Sequence, residues 1–304
     1  MSDRESICEL FCGAGGMALG FAPFFEIAYA VDIRPEAVAT YGANHPDTDT
    51  RKRDVRNLTG CRGDFAGITG IIGGPPCQAW SCRNTRRVED DPRAHLIAEY
   101  LRLVEEIRPN FFVIENVTTV PAKEKTAAIR NSRALGYDIT ATYLNAADYG
   151  AAQTRRRWIL IGTRTGTLGI IKPRHPRTVR DAFATVRENW GLMQSTPATL
   201  ERLARAPTKQ WGAMDGDGYR NMIRLQWHRP APTVCNPRKV YMVHPEEVRN
   251  ISLAEAAALQ GFPGEYLWKG SDGAIAQMIA NAMPAEMAAA IAGALPGATT
   301  PEAV

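Results

Sequence analysis

No run of apolar residues in this 304-residue chain approaches the ~20 needed to cross a bilayer. No cleavable apolar leader precedes the first strand-like segment, so neither a membrane anchor nor a secretion signal is expected. Cysteine is scarce: six residues with no C-x-x-C pair. That speaks against a disulfide scaffold and a zinc centre, and no metal is expected. There is no internal repeat. Charged residues make up 22% and hydrophobic residues 45%, a globular balance that excludes a disordered chain or a coiled coil. These absences leave a reduced, cytoplasmic, globular protein of one to two domains as the expectation.

The charge is uneven. The formal net charge is +4, yet residues 151–250 hold 18 Lys/Arg against 7 Asp/Glu, while the segments on either side are net acidic. Arginine dominates the central block. Its planar fork matches phosphates and guanine edges, and counterion release makes such binding salt-dependent. A solvated basic surface is the plainer reading of the same residues.

Strand-like and helix-like stretches alternate along the first half. Residues 6–12 (SICELFC) read as a buried strand that runs into the glycines of GAGG, and residues 26–32 (EIAYAVD) read as a strand ending on an acid. Residues 35–44 have helical spacing with proline at the favoured start. Residues 67–74, 110–117, 139–145 and 158–163 are further strand candidates, and residues 93–107 carry a helical apolar stripe. The pattern predicts a doubly wound α/β sheet, which binds ligands beyond the carboxyl ends of its strands. From residue 165 prolines and isolated tryptophans break the rhythm, and a smaller irregular or β-rich domain is expected. Helical character returns at 252–260 and in the alanine-rich stretch 274–295, which Pro284 should interrupt.

Three segments carry chemistry. The glycine loop after the first strand lets backbone N–H groups approach a ligand, and Asp32 at the next strand end suits the hydroxyls of a ribose. Taken alone the loop is also compatible with a plain tight turn. Residues 73–81 (GGPPCQAWS) set Cys77 on a stiff loop at the sheet edge, where a nucleophile belongs, although lone cysteines are more often inert. Cys8, Cys12, Cys61, Cys82 and Cys235 read as structural. Glu115 ends the apolar strand FFVIENV, where apolar neighbours would favour its protonated form and let it act as an acid; a strand-end acid satisfied by a helix N-terminus is the alternative. In AAQTRRRWILIG, Arg155 and Arg157 share one strand face and Arg156 points the other way.

Taken in order, these segments resemble the cytosine-5 DNA methyltransferase family. ELFCGAGG is similar to its glycine-rich motif, GGPPCQAWS to its Pro-Cys-Gln loop, FFVIENV to its Glu-Asn-Val strand and QTRRR to its Gln-x-Arg-x-Arg motif. RNISLAEAAALQGFP and QMIANAMPAEMAAAI are similar to its two closing segments. The chain departs from the family pattern at Ala280 (usually Gly), Ala285 (often Pro), Trp80 (usually Phe) and Cys12 (usually a small, unreactive residue).

The resemblance implies a Rossmann-like S-adenosylmethionine-dependent methyltransferase domain formed by residues 1–164 plus 272–304, and a target-recognition domain at 165–271. It implies methyl transfer to C5 of a cytosine flipped out of double-stranded DNA, through an adduct of Cys77 with C6. Glu115, Arg157 and Arg155 would complete the catalytic set. Phe11, Gly13, Ala14, Gly16, Asp32, Asp54, Val55, Pro76, Leu96 and Asn281 would bind S-adenosylmethionine. Gln78, Ser81, Asn116 and Gln153 would position the substrate. A restriction endonuclease would be a functional partner in a restriction-modification setting, and a monomer is expected. The competing readings are a tRNA cytosine-5 methyltransferase, whose Cys-Phe-Thr signature is absent here, and an inactive DNA-binding relative, which would usually lack the cysteine or the glutamate.

Overall fold

The computed structural model describes residues 4–60, 65, 67–76, 95–206, 208 and 222–299. The first half alternates β1 (Ser6–Leu10), α1 (Gly16–Phe21), β2 (Glu26–Asp32), α2 (Pro35–Asn44), β3 (Asp49–Lys52), β4 (Gly70–Gly73), α3 (Leu96–Ile107), β5 (Phe111–Val117), α4 (Ala122–Ala134), β6 (Asp138–Asn145) and β7 (Arg156–Thr163). The strands form one sheet in the order β3-β2-β1-β4-β5-β7-β6. β1 to β5 run parallel, and β7 is antiparallel to both β5 and β6. The strand order reverses at β1, since β2 lies on one side of it and β4 on the other. Two crossovers leave β1 in opposite directions there and open a crevice beyond the carboxyl ends.

Alternation along each strand builds two cores. Ile7, Phe111, Val113, Ile159 and Ile161 face the layer made by α1 and the last helix. Cys8, Leu10, Phe112, Ile114, Trp158 and Leu160 face the layer of α3. Both faces are covered, which is why β1, β4 and β5 are almost continuously apolar. α3 presents Tyr100, Leu103 and Val104 inward, as the spacing predicts.

The second half holds α5 (Val179–Phe183), α6 (Pro197–Ala204), β8 (Met222–Arg224), β9 (Tyr241–Val243), α7 (Leu253–Leu259), α8 (Asp272–Asn281) and α9 (Ala285–Ala292). The central block is irregular, but it is not β-rich among the described residues: β8 and β9 are three-residue strands paired in parallel. Prolines at 173, 176, 197, 230, 232, 237 and 245 punctuate it, and a residue without an N–H cannot extend a ladder. The block shares a core with the closing helices: Val179, Ala182, Leu225, Val234 and Met242 pack with Leu253, Leu259, Ile275 and Ile279. α7 opens on a capping box in which Ser252 and Glu255 bond each other's backbone. The alanine-rich tail divides as expected, with Pro284 capping α9. No helix among the described residues is long and apolar enough to cross a membrane.

α1 and α9 meet at Gly20. A β-carbon there would lie 2.5 Å from the Ala285 carbonyl oxygen and from the Ala288 β-carbon, and against the Ala289 nitrogen. Backbone on both sides leaves no flexible atom to yield. Gly20→Ala is expected to cost about 1–3 kcal/mol of stability, read as a lower urea midpoint at unchanged slope.

Candidate active site

The edge of the sheet where β1, β2, β4 and β5 end and β7 begins encloses a cavity of about 400 Å3. Phe11, Gly13, Ala14, Gly16, Asp32, Asp54, Val55, Pro76, Leu96, Glu115, Asn116, Arg155, Arg157 and Asn281, all singled out from sequence, line it. Cys77, Gln78 and Ser81 lie outside the described residues. Pro76, the residue before Cys77, is on the cavity wall.

The loop after β1 turns sharply, with left-handed φ at Phe11 (56°), Gly13 (55°) and Gly15 (84°). Asp32 ties this loop to the end of β2: its Oδ2 accepts the Gly13 N–H at 3.0 Å and its Oδ1 the Arg34 N–H at 2.9 Å. Gly16 is glycine for a packing reason, because a β-carbon would sit 2.6 Å from the Met283 carbonyl oxygen. The closing segment therefore lies directly on the glycine loop and completes the wall.

Beyond β3, Asp54 caps a single 3-10 turn, Val55–Asn57, by accepting the Arg56 N–H. The Arg56 side chain grips the same carboxylate, with Nε at 3.0 Å and Nη2 at 2.5 Å. Hydrogen bonding from that guanidinium holds the Asp54 carboxyl below its ordinary range. Ile33, 57% exposed, stands beside Asp32 on the cavity wall.

Glu115 and Arg157 come together by strand arithmetic. Val113 and Glu115 share a face of β5, and Arg157 and Ile159 share the same face of β7. Antiparallel register sets Glu115 opposite Ile159 and Val117 opposite Arg157, so the two charges are diagonal neighbours. Glu115 Oε1 lies 2.7 Å from Arg157 Nε, both side chains being 11% exposed. The apolar neighbours expected around Glu115 are present, but its carboxylate faces a guanidinium; the reversed β7 supplies that cation. Gly74 makes room, since a β-carbon there would meet Glu115 Oε2 at 2.9 Å.

Three expected site residues act as braces. Asn116, 2% exposed, donates from Nδ2 to the Pro75 carbonyl at 3.1 Å and fixes the root of the Pro-Pro-Cys loop. Arg155, also 2% exposed, donates to the Val234 carbonyl at 3.1 Å and the Ala280 carbonyl at 2.8 Å. Gln153 is fully buried and absent from the cavity wall. It donates to the Leu259 carbonyl and the Gln260 side chain and accepts the Val234 N–H. These bonds join it to the central block and the closing segment.

Glu9, Cys12, Ile33, Arg56 and Gly74 also line the cavity, and the sequence reading does not single them out as site residues. Glu9 carries a signal, being the lone charge in an otherwise apolar strand. Ile33 carries a weaker one, as an apolar residue just past a strand-end acid. Cys12, structural by its sequence pattern, is a buried free thiol on the wall. No cluster of three or more metal-ligating side chains occurs among the described residues.

Residues 6–296 match the family model for C-5 cytosine-specific DNA methylases. The chain is 33% identical to the type II methyltransferase M1.HphI of Haemophilus parahaemolyticus, over 94% of its own length and 85% of the relative's. It is 31% identical to M.NgoPII of Neisseria gonorrhoeae, over 95% and 94%. Among solved structures, a prophage-encoded E. coli protein assigned as a DNA modification methyltransferase superposes with a TM-score of 0.78 at 26% identity, covering 94% of this chain and 97% of that one. The Dnmt2 methyltransferase of S. pombe shares the fold, with a TM-score of 0.72 at 18% identity over 95% and 97%. The chain therefore belongs to the C-5 cytosine-specific DNA methylase family, and it is a DNA cytosine-5 methyltransferase.

Proposed function

We propose that the enzyme methylates C5 of a cytosine turned out of a specific double-stranded DNA sequence, with Cys77 as the nucleophile and S-adenosylmethionine as the donor. The observation that supports this most is the Glu115–Arg157 pair, which faces the same cavity as the glycine loop and stands beside the proline loop that leads to Cys77.

The cavity suits the donor. Its size falls in the range of small-molecule sites, and it combines a glycine loop with acids at two successive strand ends. Phe11, Gly13, Ala14 and Gly16 form one wall. Asp32 accepts from the ribose hydroxyls, Asp54 and Val55 meet the adenine edge, Leu96 packs on the ring, and Pro76 and Asn281 flank the methionine part. Bound there, S-adenosylmethionine supplies an electrophilic methyl group. Ala280 adds a methyl to the wall where the family usually has glycine, and narrows the space at that end.

Cytosine C5 is a poor nucleophile until the ring is activated. The Cys77 thiolate adds to C6, and the displaced electron pair builds negative charge towards N3. As the base enters, Arg157 turns to O2, and Glu115, released from the pair, takes up a proton from solvent and donates it to N3; the base thus exchanges the Glu115–Arg157 pair for two separate contacts. C5, now enamine-like, takes the methyl group. Loss of the C5 proton to water then restores the C5–C6 double bond and expels the Cys77 sulfur, and N3 returns its proton to Glu115. A stacked base hides C5 and C6, so the cytosine must leave the duplex first. Arg155, Asn116 and Gln153 keep the arginine strand and the proline loop in register for this step.

The arginine-rich block at 165–271 reads the DNA, with residues 1–164 and 272–304 forming the catalytic domain. The named relatives are type II methyltransferases, and a role beside a restriction endonuclease is the corresponding context for this enzyme. Expression in a host free of cytosine methylation, with bisulfite mapping of its genome, tests the reading. Protected cytosines confined to one short sequence are expected. Full conversion despite soluble, folded enzyme, or methyl groups in tRNA alone, would overturn it.

A further inference from the structure

Glu9 lines the cavity, and the chemistry above gives it no task. It lies on β1 at the point where the strand order reverses, opposite Ala30 of β2 and Ile72 of β4. It shares the face of Ile7 and is only 2% exposed. Its Oε2 accepts a hydrogen bond from the Tyr41 hydroxyl at 3.0 Å. Among the described residues no arginine or lysine forms an ion pair with it; the charge that acts on it is Asp32, of its own sign.

Its titratable surroundings are few. α2 contributes Tyr41, with His45 just after it; β2 contributes Asp32, with Arg34 beyond its end. Cys12 comes from the glycine loop, Tyr266 from the segment before α8 and Tyr100 from α3, and Cys8 is its neighbour on β1. The Arg34 guanidinium lies 3.9 Å from Asp32 Oδ1. Burial keeps His45 below its ordinary range and therefore neutral near pH 7. Burial pushes the Glu9 carboxyl up to about 8, opposed in part by the Tyr41 hydrogen bond. A buried carboxyl without a cation stays protonated; a cation delivered to the cavity supplies the missing partner.

We propose that Glu9 senses the charge of the methyl donor: it is neutral in the free enzyme and ionises when a ligand with a sulfonium group binds, its proton passing to solvent. The donor and its spent product differ by that one positive charge at sulfur. After transfer the sulfur is a neutral thioether, Glu9 takes a proton back, and the product loses the attraction that held the donor. Glu9 is thus a specificity residue for donor over product. This inference rests on the cavity being the donor site.

Calorimetric titration of the full chain with S-adenosylmethionine and S-adenosylhomocysteine, in phosphate and in Tris, counts the protons. At pH 7 the donor should release about 0.9 proton per site, and the product clearly fewer. The α-ammonium common to both ligands cancels in that comparison. Donor affinity should rise about fivefold from pH 7 to pH 8, level off above, and fall towards tenfold per unit below, since protonated Glu9 must first ionise. Glu9→Gln should abolish the release and flatten the pH profile. Tyr41→Phe, which removes a bond favouring the charged form, should move the break to higher pH, and it decides the matter if the glutamine variant fails to fold. Equal release with both ligands, no release at all, or release that persists in Glu9→Gln would overturn the inference alone. Wild-type enzyme that binds neither ligand would remove the donor-site reading as well.

Discussion

Serine in place of Cys77 is expected to lower methyl transfer by at least about 10³-fold while donor affinity changes no more than a few-fold. A hydroxyl is far harder to ionise than a thiol, so the attack on C6 fails. The residues that lead to position 77 are held independently of the sulfur. β4 runs fully buried to Gly73, Pro75 and Pro76 stiffen the chain beyond it, and Asn116 clamps the Pro75 carbonyl two residues before Cys77. The same clamp keeps Pro76 on the cavity wall proposed for the donor, which is why donor binding should survive. A duplex carrying 5-fluorocytosine at the target position supplies the check. Wild-type enzyme should become covalently linked through residue 77, because fluorine cannot leave as the proton does, and the serine variant should not. Normal turnover by Cys77→Ser would end the nucleophile assignment.

The next largest effects should come from the Glu115–Arg157 pair on the cavity wall. Glu115→Gln preserves shape but cannot donate the same proton, and a loss of about 10²–10⁴-fold in kcat is expected with stability nearly unchanged. Arg157→Ala should be worse for the fold. It leaves the Glu115 carboxylate, in a side chain only 11% exposed, without its 2.7 Å partner. Breaking such a pair costs about 3 kcal/mol and should also raise KM for DNA, since the proposed contact to the cytosine O2 goes with it. The double variant should recover much of the stability, because it removes the stranded charge, but none of the activity. Urea midpoints and single-turnover rates on the four proteins separate the two effects. A double variant as unstable as Arg157→Ala would mean that the arginine supports the fold through packing instead.

Much of this architecture is legible in the residues alone, and the reasons are physical. The strands are readable because a doubly covered parallel sheet needs continuous apolar runs, which β1, β4 and β5 have. α2 and the break at Pro284 are readable because proline has few permitted positions. The separation of Arg155 and Arg157 from Arg156 comes from alternation: Arg155 is buried and Arg156 exposed. What stays unread in the sequence concerns the third dimension. That Glu115 meets a guanidinium depends on β7 running against β5, which no local pattern reveals. That Gln153 is a strut depends on residues 231–234 and 259–260 arriving from far along the chain. α4 escapes a reading by periodicity because its sequence, AKEKTAAIRNSRA, buries only Ala128 and Ser132 and shows no strong stripe.

The same arrivals govern how the basic block can be exchanged. Residues 152–154 pair edge to edge with Ala231: Ala231 N–H donates to the Ala152 carbonyl and Thr154 N–H to the Ala231 carbonyl. Thr233 then bonds the Thr154 carbonyl, and Val234 meets both Gln153 and Arg155. A transplanted reading head from another enzyme would thus fit this scaffold only if it carried its own version of that short splice, ending one residue from the arginine triplet. Cutting the graft upstream of residue 231 keeps the splice native and should let target choice be swapped without retuning the machinery beneath it.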